Sequence, residues 1–237
     1  TFEQAKKFFR PSLDDLHDPF LLKDMDIAVS RIEKAIANNE NILIYGDYDV
    51  DGTTAVSLVS SYLKTITNHI ATYIPDRYGE GYGISTQGID FAADNNFSLI
   101  IALDCGIKAI DKVAYATKKK VDFIICDHHK PGHKIPEAVA VLNPKRVDCS
   151  YPYDELCGCG VGFKLVQALA SKRGQTIEDL TQYLDLVAIA IAADIVPITG
   201  ENRVLTYFGL QVINSNPRNG IKAIIQEVHK KVLTITD

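Results

Sequence analysis

The 237-residue chain has few cysteines, no apolar run long enough for a membrane and no excess of basic charge, and each shortage removes a class of function. Five cysteines (Cys105, Cys126, Cys149, Cys157 and Cys159) are too few, and odd in number, to staple a chain of this length. The fold must rest on a packed core, and a reducing, cytosolic compartment fits best. The richest apolar run, LVAIAIAA at 186–193, falls far short of the roughly 20 residues that cross a bilayer. No basic-then-apolar segment opens the chain, so the expectation is a soluble, cytoplasmic protein without a membrane partner. With 25 Lys+Arg against 30 Asp+Glu and a formal net charge of -5, a dedicated coat for duplex DNA is excluded, because such coats bind phosphates with basic side chains. A nuclease is not excluded, since carboxylates that hold divalent metals present cations to a phosphate. Internal repeats and low-complexity tracts are also missing.

What is present is enough apolar material for a sizeable core: 46% of residues are hydrophobic and 23% charged, which suits one domain with a helical annex. Short β-branched runs read as strands at 41–45, 69–74, 98–103, 121–126 and 138–142, with amphipathic stretches between most of them. One of these, Thr53 to Ile66, carries Val56, Leu58, Val59, Tyr62, Leu63 and Ile66 on a helical face. The rhythm predicts an α/β fold, a mostly parallel five-stranded sheet flanked by helices and followed by a helical C-terminal extension. Residues 1–40 read as leading helices (Phe2 to Arg10, Asp24 to Ala37), 41–145 as the α/β core, and 146–237 as mainly helical. In the last part Val161 to Leu169, Tyr183 to Ala193, the stripe Val204, Leu205, Phe208, Val212, and Ile221 to Val228 are helical patterns. Thr1 and the apolar close VLTITD suggest an excised core of a longer protein.

Ligands of a parallel sheet gather beyond the carboxyl ends of its strands. Asp47, Asp49 and Asp51 in YGDYDVDG (45–52) follow the first strand, Asp104 the third, and Asp127-His128-His129 the fourth. Acids and imidazoles on a common edge repel unless cations or protons bind, and oxygen donors with an imidazole suit magnesium, manganese or cobalt better than a soft ion. Gly52 signals a sharp turn, so Asp49 and Asp51 are expected to converge on metal, with Asp47 either a third ligand or an acceptor behind them. Asp104 is placed to bridge two ions and His128 to supply a neutral nitrogen. His129 points elsewhere, toward a phosphate oxygen, and Asp127 orients the ligand imidazole or the following backbone. Asp194 closes the buried run AIAIAAD, where an uncompensated carboxylate is costly; a ligand from the annex and a helix cap are the two readings. Arg77, Arg203 and the N–H groups from Gly158 to Gly162, including Gly160, are candidate contacts for phosphate. Tyr78 and Tyr82 suit base stacking or plain packing equally. CGCG (157–160) reads as a tight glycine-rich turn rather than a soft-metal site.

Four ordered motifs, YGDYDVDG (45–52), ALDCG (102–106), CDHH (126–129) and AIAADIVP (190–197), resemble the DHH family of phosphoesterases. The connectors IPDRYGEGYG (74–83), NPKRVDCSYPYDELCGCGVGFKL (143–165) and GENR (200–203) are similar to its RecJ-type branch of single-strand-DNA exonucleases. That resemblance implies two divalent cations, Mn(2+) or Mg(2+), held by Asp49, Asp51, Asp104, His128 and Asp194 with Asp47 near the site, and His129 at the scissile phosphate. It implies single-stranded DNA, degraded from the 5′ end to mononucleotides, as the partner and substrate, in DNA repair and recombination. Tyr45 stands where some relatives carry a histidine, and the family's second substrate-binding domain and oligonucleotide-binding domain are not recognisable before Asp237. Rival expectations are a hydrolase of short oligonucleotides, cyclic dinucleotides or pyrophosphate, and a metal-binding scaffold without catalysis.

Overall fold

The computed structural model describes residues 8–228 and 232–234. Five strands, β1 (Asn41–Gly46), β2 (Ile70–Tyr73), β3 (Phe97–Leu103), β4 (Asp122–Cys126) and β5 (Ala140–Leu142), form one sheet in the order β2-β1-β3-β4-β5. Every pairing is parallel. The strands are near-continuous apolar runs because both faces are covered. Ile42, Ile44, Leu99, Ile101, Leu103 and Ile124 face one layer, built from α1 (Met25–Ala37), α2 (Val50–Leu63), α5 (Gly158–Ser171) and α6 (Leu184–Ala193). Leu43, Tyr45, Ile100, Ala102, Phe123 and Ile125 face the other, built from α3 (Thr86–Asp94) and α4 (Ile110–Lys118). Helices α7 (Gly200–Ser215) and α8 (Asn219–Val228) complete the C-terminal part. Of the leading helices, α1 is present, while most of the segment from Phe2 to Arg10 lies outside the described residues.

The chain leaves β1 on one side for β2 and then crosses to β3 on the other, so loops after β1 and β3 diverge and open a crevice at their carboxyl ends. Asp47 and Asp104 stand at its two walls.

Two boundaries differ from the periodicity. Helix α2 begins at Val50, three residues before the amphipathic stripe, because the Asp49 side chain caps it by accepting from the Gly52 N–H at 2.9 Å. Gly52 therefore sits inside the first turn and marks no turn of its own; a Cβ there would collide with the Asp47 backbone. CGCG is likewise no turn: Cys157 is the N-cap of α5, and Gly158, Cys159 and Gly160 form its first, buried turn.

Helices α6 and α7 approach each other closely. Gly209 makes it possible, since a Cβ there would meet the Leu184 carbonyl oxygen and the Ala188 side chain. Gly209→Ala gains about 1 kcal/mol of helix propensity and loses about 1–3 kcal/mol to overpacking against backbone that cannot yield. A net loss of stability is expected in urea denaturation, whereas Gly220→Ala, with open space around it, should be neutral or stabilising.

Candidate metal centre

Three sets of donor atoms, each mutually within 4.8 Å, line the crevice: Asp47, Asp49 and Asp104; Asp104, His128 and His129; and Asp51, His128 and Asp194. Asp104 and His128 each belong to two sets, so the sets form one continuous centre. Asp47, Asp51, Asp104 and His128 are buried, Asp194 is half-buried and Asp49 is exposed.

Each side chain is placed by its local backbone. Asp104 leaves β3 in the left-handed region, at φ 60°, with its N–H donating to the Cys126 carbonyl oxygen at 2.8 Å. Asp is one of the few residues that tolerates this conformation, which turns the carboxylate back over the strand ends. Gly158 leaves the space it needs, because a Cβ there would lie 2.5 Å from the Asp104 Cβ. Asp49 uses Oδ1 on the Gly52 N–H and keeps its other oxygen for the crevice. Asp51, in the first turn of α2, is gripped by the start of α5: Oδ2 accepts from the Gly158 N–H at 2.6 Å and Oδ1 from the Cys159 N–H at 2.7 Å. Asp194 is the C-cap of α6, not the start of a helix, and its Oδ2 lies 3.6 Å from His128 Nε2. The next residue, Ile195, is a β-branched residue at φ 56°, a strained conformation held beside the centre.

Asp127 organises the histidine loop. Its Oδ1 accepts from the N–H groups of His128 at 2.7 Å and His129 at 3.0 Å and from His129 Nδ1 at 2.8 Å; its Oδ2 accepts from the Ile107 N–H at 2.8 Å. Asp127 thus orients the backbone and the second imidazole, while His128 keeps both ring nitrogens free of hydrogen bonds. Asn143, fully buried, adds a clamp on the His129 carbonyl oxygen at 2.9 Å.

The electrostatics are those of a cation site. Both oxygens of Asp47, Oδ1 of Asp104 and both nitrogens of His128 are buried without a hydrogen bond, an arrangement that is costly unless another group binds there. Burial, then the neighbouring carboxylates Asp51 and Asp49, pushes the Asp104 carboxyl up. Burial does the same to Asp47, Asp51 and Asp194. Burial and the adjacent His129 lower His128, keeping it a neutral donor. Against burial, the hydrogen bond from His129 holds Asp127 low, and that bond raises His129. Oxygen donors with one neutral imidazole fit magnesium or manganese, whose ligand atoms stand about 2.0–2.2 Å from the ion.

Several expected residues lie elsewhere or do other work. Asp49 and Asp51 do not converge on one set: Asp49 joins Asp47 and Asp104, while Asp51 joins His128 and Asp194. The N–H groups of Gly158 and Gly160 form no phosphate cradle, being donated to Asp51 and to Cys157 Sγ. Arg203 donates from Nε to the Phe8 carbonyl oxygen and stacks 3.8 Å over the Phe8 ring, holding the N-terminal segment. Tyr45 turns to the opposite sheet face, its hydroxyl donating to the Gly83 carbonyl oxygen at 2.8 Å and accepting from the Ser85 N–H at 3.0 Å. Arg77 is exposed, 5.2 Å over the Tyr48 ring. Tyr48 stands edge-on to Tyr82, and Tyr82 edge-on to His129, with its hydroxyl 3.3 Å from Nε2. The alternation in GDYDVD is the one signal that could have placed Tyr48, between two aspartates, on this wall; Asn143 carries no signal of its own.

With cations chelated, the native state retains a proton on Asp104, whose carboxyl burial and the neighbouring carboxylates push up to about 11, while the unfolded chain releases it near pH 3.8, so this group costs stability as pH rises toward its raised value. Each retained proton amounts to about 1.4 kcal/mol per pH unit. His128 acts oppositely, but only below its ordinary 6.5. The melting temperature of chelated protein should therefore fall between pH 7 and 9, and saturating Mg(2+) should raise it more at pH 8.5 than at pH 7. Equal increments at both would contradict the charge assignment.

Comparison with known proteins places this geometry. The family described as "DHH family, N-terminal domain" matches residues 41–191. The single-stranded-DNA-specific exonuclease RecJ of Bacillus subtilis (strain 168) is 41% identical over 226 residues, covering 95% of this chain and 28% of that protein. Its namesake from Escherichia coli (strain K12) is 33% identical over 220 residues, covering 88% and 38%. Among solved structures, exonuclease RecJ bound to manganese superposes with a TM-score of 0.80 at 29% identity, over 87% of this chain and 52% of that one. RecJ of Thermus thermophilus in complex with Mn2+ gives 0.79 at 26% identity, over 96% and 32%. The chain thus spans well under half the length of these curated relatives.

Proposed function

The chain belongs to the DHH family, and from that premise we propose that it is the catalytic part of a metal-dependent phosphodiesterase that hydrolyses single-stranded DNA from the 5′ end to mononucleotides. The observation that carries the reading is Asp104: one buried carboxylate with an unpartnered oxygen shared by two donor sets. The names of the relatives, and the manganese in the two superposed structures, support the substrate and the cation.

In this reading Asp47, Asp49 and Asp104 would hold one cation, and Asp51, Asp104, His128 and Asp194 the other. Such a pair, when bound, would supply a lowered pKa to a bound water and positive charge to the phosphoryl oxygens. The chain's own groups do the rest. Asp51, fixed by two N–H groups, and Asp49, fixed by one, present oxygens that need no reorganisation. Asp127 holds His129 by Nδ1, which leaves Nε2 on the side of the Tyr82 hydroxyl and favours the protonated ring, a hydrogen-bond donor to a phosphoryl oxygen. Arg77 and the tyrosine wall offer a cation and π-faces to a strand entering from β2's side. Within this reading the described residues of 1–40 brace the core, 41–145 carry most donors, and 146–237 contribute Asp194 and the grip on Asp51. A cytoplasmic setting belongs to the same reading; no helix among the described residues is long and apolar enough to cross a membrane.

Turnover of a 5′-labelled single-stranded oligonucleotide against a duplex, a dinucleotide, a cyclic dinucleotide and pyrophosphate, with the full-length protein and Mn(2+), tests the proposal. Mononucleotide release from the single strand is expected; preference for a small substrate would replace this reading with a relative of it, and no turnover at all would leave a scaffold. Asp104→Asn should reduce turnover by about 10³-fold or more. The same change should raise the stability of the chelated protein, because an amide replaces a buried carboxyl that has to take up a proton on folding.

A further inference from the structure

Tyr45 carries a buried polar group for which the metal centre has no use. It sits on β1 just before Gly46 and Asp47, yet its ring lies on the sheet face covered by α3 and α4, stacked on Tyr73 at a centroid distance of 5.4 Å. The hydroxyl donates to the Gly83 carbonyl oxygen at 2.8 Å and accepts from the Ser85 N–H at 3.0 Å, across 38 and 40 positions of chain. Helix α3 is built down onto this ring, since a Cβ at Gly88 would lie 2.6 Å from Tyr45 Cε2.

The segment it holds is loosely built. Tyr82 stands between Gly81 at φ 83° and Gly83 at φ 79°, with open space around both, so no side chain locks the backbone on either side of it. Before it, residues 76–80 form a self-bound turn in which Asp76 accepts from the Tyr78 and Gly79 N–H groups and Glu80 from the Asp76 N–H. After it, Ser85 caps α3 by accepting from the Gly88 N–H at 2.8 Å. Tyr45 reaches in from the sheet between these two anchors. Tyr82, next to the carbonyl it grips, is the ring that meets His129 edge-on with its hydroxyl 3.3 Å from Nε2.

We propose that Tyr45 is a positioning residue whose hydroxyl pins the Gly83–Ser85 segment to β1 and so sets Tyr82 against His129. The proposal rests on the phosphodiesterase reading, in which His129 meets a phosphoryl oxygen. A phenol suits the task because one hydroxyl donates and accepts at once, satisfying a carbonyl oxygen and an N–H two residues apart. Phenylalanine keeps the stacking and the volume but leaves both groups buried without a partner, and the segment shifts to find one. Because β1 also leads into Asp47, the strut fixes the spacing between the tyrosine wall and the donor sets through a central strand instead of through the loop's own backbone.

The test compares full-length protein carrying Tyr45→Phe, Tyr82→Ala or both with the unaltered protein. Three quantities are measured: turnover of a single-stranded oligonucleotide with Mn(2+), calorimetric affinity for Mn(2+), and hydrogen exchange with chelator. Displacements near 1 Å cost up to roughly 10²-fold in rate, so Tyr45→Phe should lower kcat/KM about tenfold or more. Mn(2+) affinity should stay within about twofold, and exchange should accelerate about tenfold or more in residues 81–85 while β3 keeps its protection. In the Tyr82→Ala background the same change should cost less than about twofold, since the ring it positions is gone. An equal cost in both backgrounds, unchanged turnover, a loss of Mn(2+) affinity, or loosening that is absent from 81–85 or spread to β3 overturns the positioning role. Exchange is read without turnover, so the two ideas fail separately. Loosening confined to 81–85 in a protein that cleaves no phosphodiester sinks the hydrolase and leaves the strut, whereas cleavage with no such loosening sinks the strut alone.

Discussion

Mutual repulsion among carboxylates gathered at one buried rim is the constraint to which the rest of this structure answers. Asp47, Asp51 and Asp104 are buried, Asp49 and Asp194 stand beside them, and in a low-dielectric crevice like charges this close are tolerated only when cations or protons sit between them. The scaffold holds them against that tendency to splay. Backbone N–H groups fix Asp51 and Asp49, a left-handed residue turns Asp104 inward, and a strained Ile195 follows Asp194. Asp127 is the exception that clarifies the rule, since four donors within its reach keep it charged and leave it nothing to offer a cation.

Much of this frame is legible in the sequence because it depends on patterns of short range. β1, β3 and β4 are runs of apolar residues buried on both faces, and such runs separated by amphipathic segments admit few arrangements other than a covered parallel sheet. Once the sheet is parallel, residues that follow strands share an edge whatever lies between them, which brings Asp47, Asp104 and His128 together across more than 80 positions. Asp194 is legible for a different reason, as a carboxylate at the end of an apolar helix.

What is not legible depends on partners far away in the chain. The N–H of Gly158 is donated to a carboxylate 107 positions earlier, so a segment that reads locally as a free anion cradle is already occupied. The division of Asp47, Asp49 and Asp51 between donor sets turns on where α2 begins, and that is decided by one capping hydrogen bond instead of by the apolar stripe. Arg203 is taken by Phe8, a pairing across 195 positions that no periodicity encodes. Tyr48 sits inside YGDYDVDG without a donor role, and only the folded edge shows that it stands edge-on to Tyr82, which in turn meets His129.

The grip of α5 on Asp51 makes the C-terminal annex part of the core's chemistry. A side chain rooted in the first turn of α2 is aimed by amides from a segment that joins the fold much later, and α6 then adds Asp194 to the same set. Docking of that segment and uptake of an ion at this position are consequently one linked equilibrium. In the proposed reading, loosening the annex would weaken the site, and an ion in place would act as a rivet between two stretches of chain already joined by the amides on Asp51.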